Sequence, residues 1–171
     1  RSHPGHSNLS NFNVAGHQDD SIFTHSTISS GKHTTCIITE DARVACWGKN
    51  EQGKRGLGGG IDNSINEPYG KAGPWLVGNL SSGMVEVSVG AYSTCSLSDG
   101  GEIWCWGGGE YGQLGTGNDL CTVASGWSCT EATNHPPQQV ALPASTSAIS
   151  LADMGGEHAC AILDTGEALC W

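Results

Sequence analysis

The chain has 171 residues, seven Lys plus Arg against 17 Asp plus Glu, and a formal net charge of −10 at neutral pH. A surface this poor in cations repels phosphate backbones and anionic lipid, which excludes nucleic-acid binding and anionic-membrane binding as expected roles. Eight cysteines, all assignable to pairs, point to a disulfide framework and an oxidising compartment.

Residues 1–26 hold four of the seven histidines, many Ser and Asn, and little periodicity. Phe12, Val14, Ile22 and Phe23 are enough to dock on a neighbour but not to build a core, so the segment reads as an N-terminal extension or the tail of a preceding repeat. His3, His6 and His17 lack a rigid element to fix metal-ligand geometry, and a solvated tail is the favoured reading. Asn8-Leu9-Ser10 is a glycosylation sequon.

From residue 27 a unit is written three times, over about 27–84, 85–148 and 149–171, the last truncated. In the first unit Gly31 precedes Cys36 by five residues, and Cys46 follows ten residues later with Trp47 directly behind it. A hairpin centred on Glu40-Asp41-Ala42 sets Cys36 opposite Cys46 and Ile38 opposite Val44. A glycine-rich loop follows, with Leu57 expected to plug it from inside. Gly58 to Gly73 is a polar insertion, and Asn79-Leu80-Ser81 is a second sequon.

In the second unit Val85, Val87 and Val89 alternate with Glu86 and Ser88, the period of a half-buried strand. Gly90 ends it. Asp99-Gly100-Gly101 is a turn signal that places Cys95 opposite Cys105 and Leu97 opposite Ile103. Facing Cβ atoms on antiparallel strands lie about 4.5–5.5 Å apart, close to the roughly 3.5–4.5 Å of a disulfide. Trp106 follows, then a second glycine loop with Leu114 as its plug. An insertion from Asp119 to His135 carries the remaining pair, Cys121 and Cys129, and Trp127. The third unit repeats the scheme with Gly155, Cys160 opposite Cys170, Ile162 opposite Ala168, and Trp171. The glycines before the first cysteines suit bends where a side chain would be a steric liability.

The whole run resembles the regulator of chromosome condensation repeat family. Residues 87–115 closely fit its run of strand, Gly, His-Thr-Cys/Ala-Leu, Asp-Gly, Val-Tyr-Cys-Trp-Gly and Tyr-Gly-Gln-Leu-Gly. Residues 28–58 fit with Lys54-Arg55-Gly56-Leu57-Gly58 in place of the usual ending, and 149–171 fit to the last residue. The resemblance implies an all-β fold, a partial β-propeller of four-stranded antiparallel blades, here a segment of a larger seven-bladed ring. It makes His33 and His158 structural residues of the bend. It also makes Pro74-Trp75-Leu76-Val77 and Pro136-Pro137-Gln138-Gln139-Val140 the strands that begin the next unit. The chain starts at Arg1 and stops at Trp171, where the pattern demands a glycine, and so reads as part of a longer polypeptide.

Little chemistry is written into these residues. Ten-residue cysteine spacing is wrong for zinc knuckles. Asp62, Asn63, Asn66, Asn118 and Asp119 read as turn formers rather than a calcium ladder. Asp153, Glu157, Asp164 and Glu167 lack a visible general acid–base partnership, and neither a nucleophile elbow nor a phosphate loop is present. The expectation is a non-enzyme without metal or cofactor. Trp47, Trp106 and Trp171 point away from the cystines and pack blade on blade, Trp104 extends that packing, and Trp127 is the candidate contact residue. The expected function is an extracellular structural or interaction module, within a secreted or cell-surface propeller that assembles with other protein chains or with itself, as in a surface filament or adhesive ectodomain. N-linked glycans are expected at Asn8 and Asn79. The alternative is a secreted binding or inhibitory propeller aimed at one protein. The chromatin and GTPase nucleotide-exchange roles of the family's namesake fit an acidic, bridged chain poorly.

Overall fold

The computed structural model describes residues 27–57, 74–117 and 135–171. It contains three antiparallel sheets. The first runs β1 (Ile28–Gly31), β2 (Thr34–Ile38), β3 (Val44–Gly48) and β4 (Trp75–Leu76). The second runs β5 (Met84–Val89), β6 (Ser93–Ser98), β7 (Ile103–Gly107) and β8 (His135–Gln139), and the third β9 (Ala148–Leu151), β10 (Cys160–Leu163) and β11 (Ala168–Cys170). The described residues add one 3-10 turn, Glu51–Gly53. The first two sheets are four-stranded blades of the kind the resemblance implies, and the third has three strands among the described residues.

The hairpin arithmetic holds in all three copies. Cys36 pairs with Cys46 and Ile38 with Val44, Cys95 with Cys105 and Leu97 with Ile103, Cys160 with Cys170 and Ile162 with Ala168. Disulfides close each cysteine pair across Cα separations of 4.1 Å. The turns reverse through a positive φ at one homologous position: Ala42 (55°), Gly101 (80°) and Gly166 (83°). Glycine reaches that region without strain, whereas Ala42 is held there by its amide donating to the Thr39 carbonyl at 2.9 Å.

Two sequence expectations need correction. Trp75–Leu76 and His135–Gln139 do not begin the next blade. They hydrogen-bond to β3 and β7 as the fourth strands of their own blades. Nor is β5 half-solvated: Glu86 and Ser88 are as buried as Val87 and Val89. The polar side faces the third blade, where the Glu86 Oε2 accepts the Leu151 amide at 2.8 Å and the Ser88 Oγ accepts the Met154 amide at 2.9 Å. Ser29 Oγ accepts the Val89 amide at 3.0 Å one blade earlier, at the equivalent position.

The core is therefore made between blades. Cys36, Ile38, Val44 and Cys46 pack with Met84, Val87, Val89 and Trp106 of the second blade. Cys95, Leu97, Ile103 and Cys105 pack with Leu151, Ala159, Ala161 and Leu163 of the third, with Trp171 against them. Contact this close explains the recurring glycine. A Cβ at Gly31 would strike the Val89 and Gly90 carbonyl oxygens, and one at Gly90 would lie 2.6 Å from the Gly155 carbonyl oxygen. Neither glycine has a positive φ in this fold, so space rather than conformation demands it.

Gly90→Ala should destabilise the chain by about 1–3 kcal/mol, because rigid backbone on the next blade must move. Gly156→Ala, where an added Cβ meets nothing within 4 Å, should be nearly neutral. Urea denaturation of the two variants checks the difference.

Candidate functional site

Antiparallel order gives the blades two unlike ends. One carries the β1–β2 and β5–β6 turns and the start of the β3–β4 and β7–β8 connections, which then run back along the blades until the Gly56 carbonyl accepts the Gly78 amide and the Gly115 carbonyl the Ala141 amide, both at 2.8 Å. The other carries the β2–β3, β6–β7 and β10–β11 hairpin turns and the β4–β5 connection.

At the loop end, the turn between β1 and β2 has Lys32 and His33 at φ of 30° and 70°, positive at both central residues as a type I′ turn requires, without its usual Asn-Gly. Lys54 braces it. Its side chain is buried, and Nζ donates to the Lys32 carbonyl at 2.8 Å and the Gly31 carbonyl at 3.4 Å. The Lys54 carbonyl in turn accepts the indole N–H of Trp106 at 2.7 Å and the Thr94 hydroxyl at 3.1 Å. The next blade pair repeats the indole bond: Trp171 Nε1 donates to the Gln113 carbonyl at 3.1 Å. Trp106 and Trp171 thus each clamp the loop of the preceding blade.

Around Lys54 stand Glu51, bonded to Lys49 at 2.5 Å and 3.8 Å from Lys32, whose ammonium lies 4.1 Å from the centre of the Tyr92 ring. Burial pushes the Lys54 pKa down to about 8, Glu51 draws it back up, and Lys32 and Lys49 press it lower. The hydrogen bond from Lys49 holds Glu51 below the usual carboxylate range, and Lys32 adds to that. Tyr111 is 64% exposed at this end on the second blade's loop, whereas Trp75, 45% exposed, lies mid-blade on the outer strand opposite Cys46.

The opposite end is acidic. Glu40, Asp41, Asp99, Glu102, Asp164 and Glu167 are exposed on its three hairpin turns, with Arg43 bound to Asp41 at 2.9 Å. The Thr39 hydroxyl lowers the Asp41 pKa, helped by Arg43, and the Ser147 hydroxyl at 2.9 Å lowers that of Asp164. Asn79 is exposed on the β4–β5 connection at φ 56°.

Of the residues singled out from sequence, Cys36, Cys46, Cys95 and Cys105 lie at the two blade–blade contacts, fully buried. The third bridge sits on a more open face: Cys160 is half-buried and Cys170 exposed. Leu114 plugs its loop with no exposure, but its counterpart in the first blade is Arg55, and Leu57 is only half-buried. Gly53 and Gly112 each stand seven residues after the second cysteine of their hairpin, so the two loops are equal in length to that point and Leu57 falls two residues beyond the plug position. His33 works through its backbone, its carbonyl accepting the Lys49 amide at 2.7 Å. Trp127, Cys121, Cys129, Asn8 and the N-terminal histidines lie outside the described residues. Sequence reading missed Lys54, Tyr111 and Trp75. Aligning the two loops on Gly53 and Gly112 would have paired Lys54 with Gln113 and marked it as a substitution at a buried position.

Among the described residues, no group of three or more His, Cys, Asp or Glu could hold a metal ion. No described helix is long and apolar enough to cross a membrane.

Four-stranded antiparallel blades in contact through their inner strands define a segment of a β-propeller. The regulator of chromosome condensation (RCC1) repeat models match residues 26–54 and 84–113 in one form and 100–162 in another. The chain belongs to that repeat family. The RCC1 domain-containing protein RUG3, mitochondrial, of Arabidopsis thaliana is 32% identical over 144 residues, which is 84% of this chain and 29% of that protein. Human E3 ubiquitin-protein ligase HERC2 is 31% identical over 98 residues, 55% of this chain and 2% of that protein. Among solved structures, yeast RCC1 (Prp20) bound to Kap60 superposes with a TM-score of 0.66 at 19% identity, covering 96% of this chain and 30% of that one. Human WBSCR16 gives 0.66 at 22% identity, covering 84% and 32%. The chain spans roughly a third or less of each of these proteins.

Lys54 binds a proton less readily when folded than when unfolded. Between pH about 8 and about 10.5 the unfolded chain therefore holds more protons, and stability should rise with pH across that window. The rise should be on the order of 1–3 kcal/mol. It should vanish in Lys54→Gln, which installs the second blade's residue. Denaturation midpoints of both chains across the window test this.

Proposed function

We propose that this chain is part of a secreted or cell-surface RCC1-repeat propeller that serves as a protein–protein interaction module, engaging its partner at the loop end. The observation that carries the extracellular reading is the burial of Cys36–Cys46 and Cys95–Cys105 within blade contacts. Bridges at the centre of the core, repeated at one position of the unit, suit a fold matured in an oxidising compartment. The loop end gathers Tyr111 and the Lys32–Glu51–Lys49 group. An exposed aromatic beside paired charges on a rigid scaffold is the composition of a recognition surface.

Relatives support the interaction role at a coarser level. The yeast RCC1 structure holds Kap60, and a second yeast structure was described together with binding to Gsp1p and histones. Here the acidic hairpin end and a net charge of −10 favour a protein partner over chromatin, and nucleotide exchange on a GTPase is the lesser reading. The partner of this chain is another protein chain, a second copy of itself included.

Secretion through a eukaryotic host should yield a soluble chain in which non-reducing peptide mapping finds the three described bridges. Each closes a short loop worth about 2–3 kcal/mol, so chain made in a reducing cytosol should lose most of its stability. A fully reduced chain that folds with unchanged stability would overturn the extracellular reading.

A further inference from the structure

We propose that Asn79 carries an N-linked glycan, which reserves the hairpin end of the blades for solvent and leaves the loop end to the partner. The proposal rests on the secreted reading above and adds to it a modified residue and a direction.

Asn79-Leu80-Ser81 meets the acceptor pattern, a proline-free Asn-x-Ser. The pattern alone arises by chance, and the fold supplies what it lacks. Asn79 and Ser81 are both exposed, while Leu80 between them is half-buried and packs on the core of the first two blades. Leu80 thus anchors the segment, with the acceptor residues on either side left open. Asn79 takes a left-handed φ of 56°, a region that asparagine tolerates better than most side chains. Downstream, the Gly83 carbonyl accepts the Asp99 amide at 2.8 Å, which ties the connection to the neighbouring blade's turn. A glycan here projects from a fixed point and displaces no packed side chain.

Position gives the modification its consequence. The β4–β5 connection lies at the end opposite Tyr111 and the Lys32–Glu51–Lys49 group. A bulky polar chain beside the acidic turns opposes docking there and favours docking at the other end. In the transfer, the Asn79 side-chain nitrogen attacks C1 of a lipid-pyrophosphate-linked oligosaccharide. The N–C1 bond forms, the C1–O bond to the pyrophosphate breaks, the lipid pyrophosphate leaves, and the amide gives up one proton to a base of the transferase.

The chain should be secreted from a eukaryotic host in an Asn8→Gln background and mapped by mass spectrometry before and after peptide-N-glycosidase. The expected result is a glycopeptide containing Asn79 that the glycosidase converts to Asp. The glycoform should be lost completely in Ser81→Ala and retained in Ser81→Thr, with the bridges intact in both. Secreted, bridged chain with Asn79 bare overturns the glycan and leaves the extracellular reading standing. Chain retained in the cell without bridges overturns both.

Discussion

Everything in this structure depends on how closely one blade approaches the next. The inner strands meet with so little space that a glycine must stand where Gly31 faces Val89 and Gly90 faces Gly155. That approach brings the cystine-bearing side of one blade against the inner strand and tryptophan of the following one, and no blade has a core of its own. The polar groups of the contact are matched with the same economy. Serine hydroxyls at 29 and 88 take the amides of Val89 and Met154, and indole N–H groups at 106 and 171 take the carbonyls of Lys54 and Gln113. Buried amides and carbonyls left without such partners would each cost on the order of 1–3 kcal/mol, so these bonds fix blade registry as well as adding stability.

What could be read from the sequence follows from this. Hairpins are local objects: a ten-residue cysteine spacing and an Asp-Gly turn determine which residues face each other, so Cys95 opposite Cys105 was legible from the text. Contacts between blades join residues dozens of positions apart, and no local period reveals them. For that reason the polar positions of β5 looked solvated, although Glu86 and Ser88 are buried on the third blade. The strand at Trp75–Leu76 is only two residues long, too short for its alternation to show which blade it joins. Lys54 was obscured because a lysine reads as surface, whereas here its ammonium satisfies the carbonyls of a left-handed turn.

The same geometry separates the two ends of the molecule. Hairpin turns repeat the unit faithfully, so a carboxylate recurs at their tips as Glu40, Asp99 and Asp164, and that end is predominantly acidic. The segments after β3 and β7 depart from the repeat: the first blade substitutes Lys-Arg for Gln-Leu, and the insertions differ in length and content. Variation on a rigid frame is where specificity is built. The exposed Tyr111 lies at the loop end, while Asn79 marks the opposite one.

The most direct test is the order in which the bridges open in the folded chain of residues 1–171 alone under mild reductant, read by differential alkylation and peptide mapping. If the following blade covers each cystine, Cys160–Cys170 opens first, roughly tenfold or more ahead of Cys36–Cys46 and Cys95–Cys105, whose reduction must await local separation of blades. A single common rate for all three, or Cys95–Cys105 opening ahead of Cys160–Cys170, would contradict the packing of blade on blade.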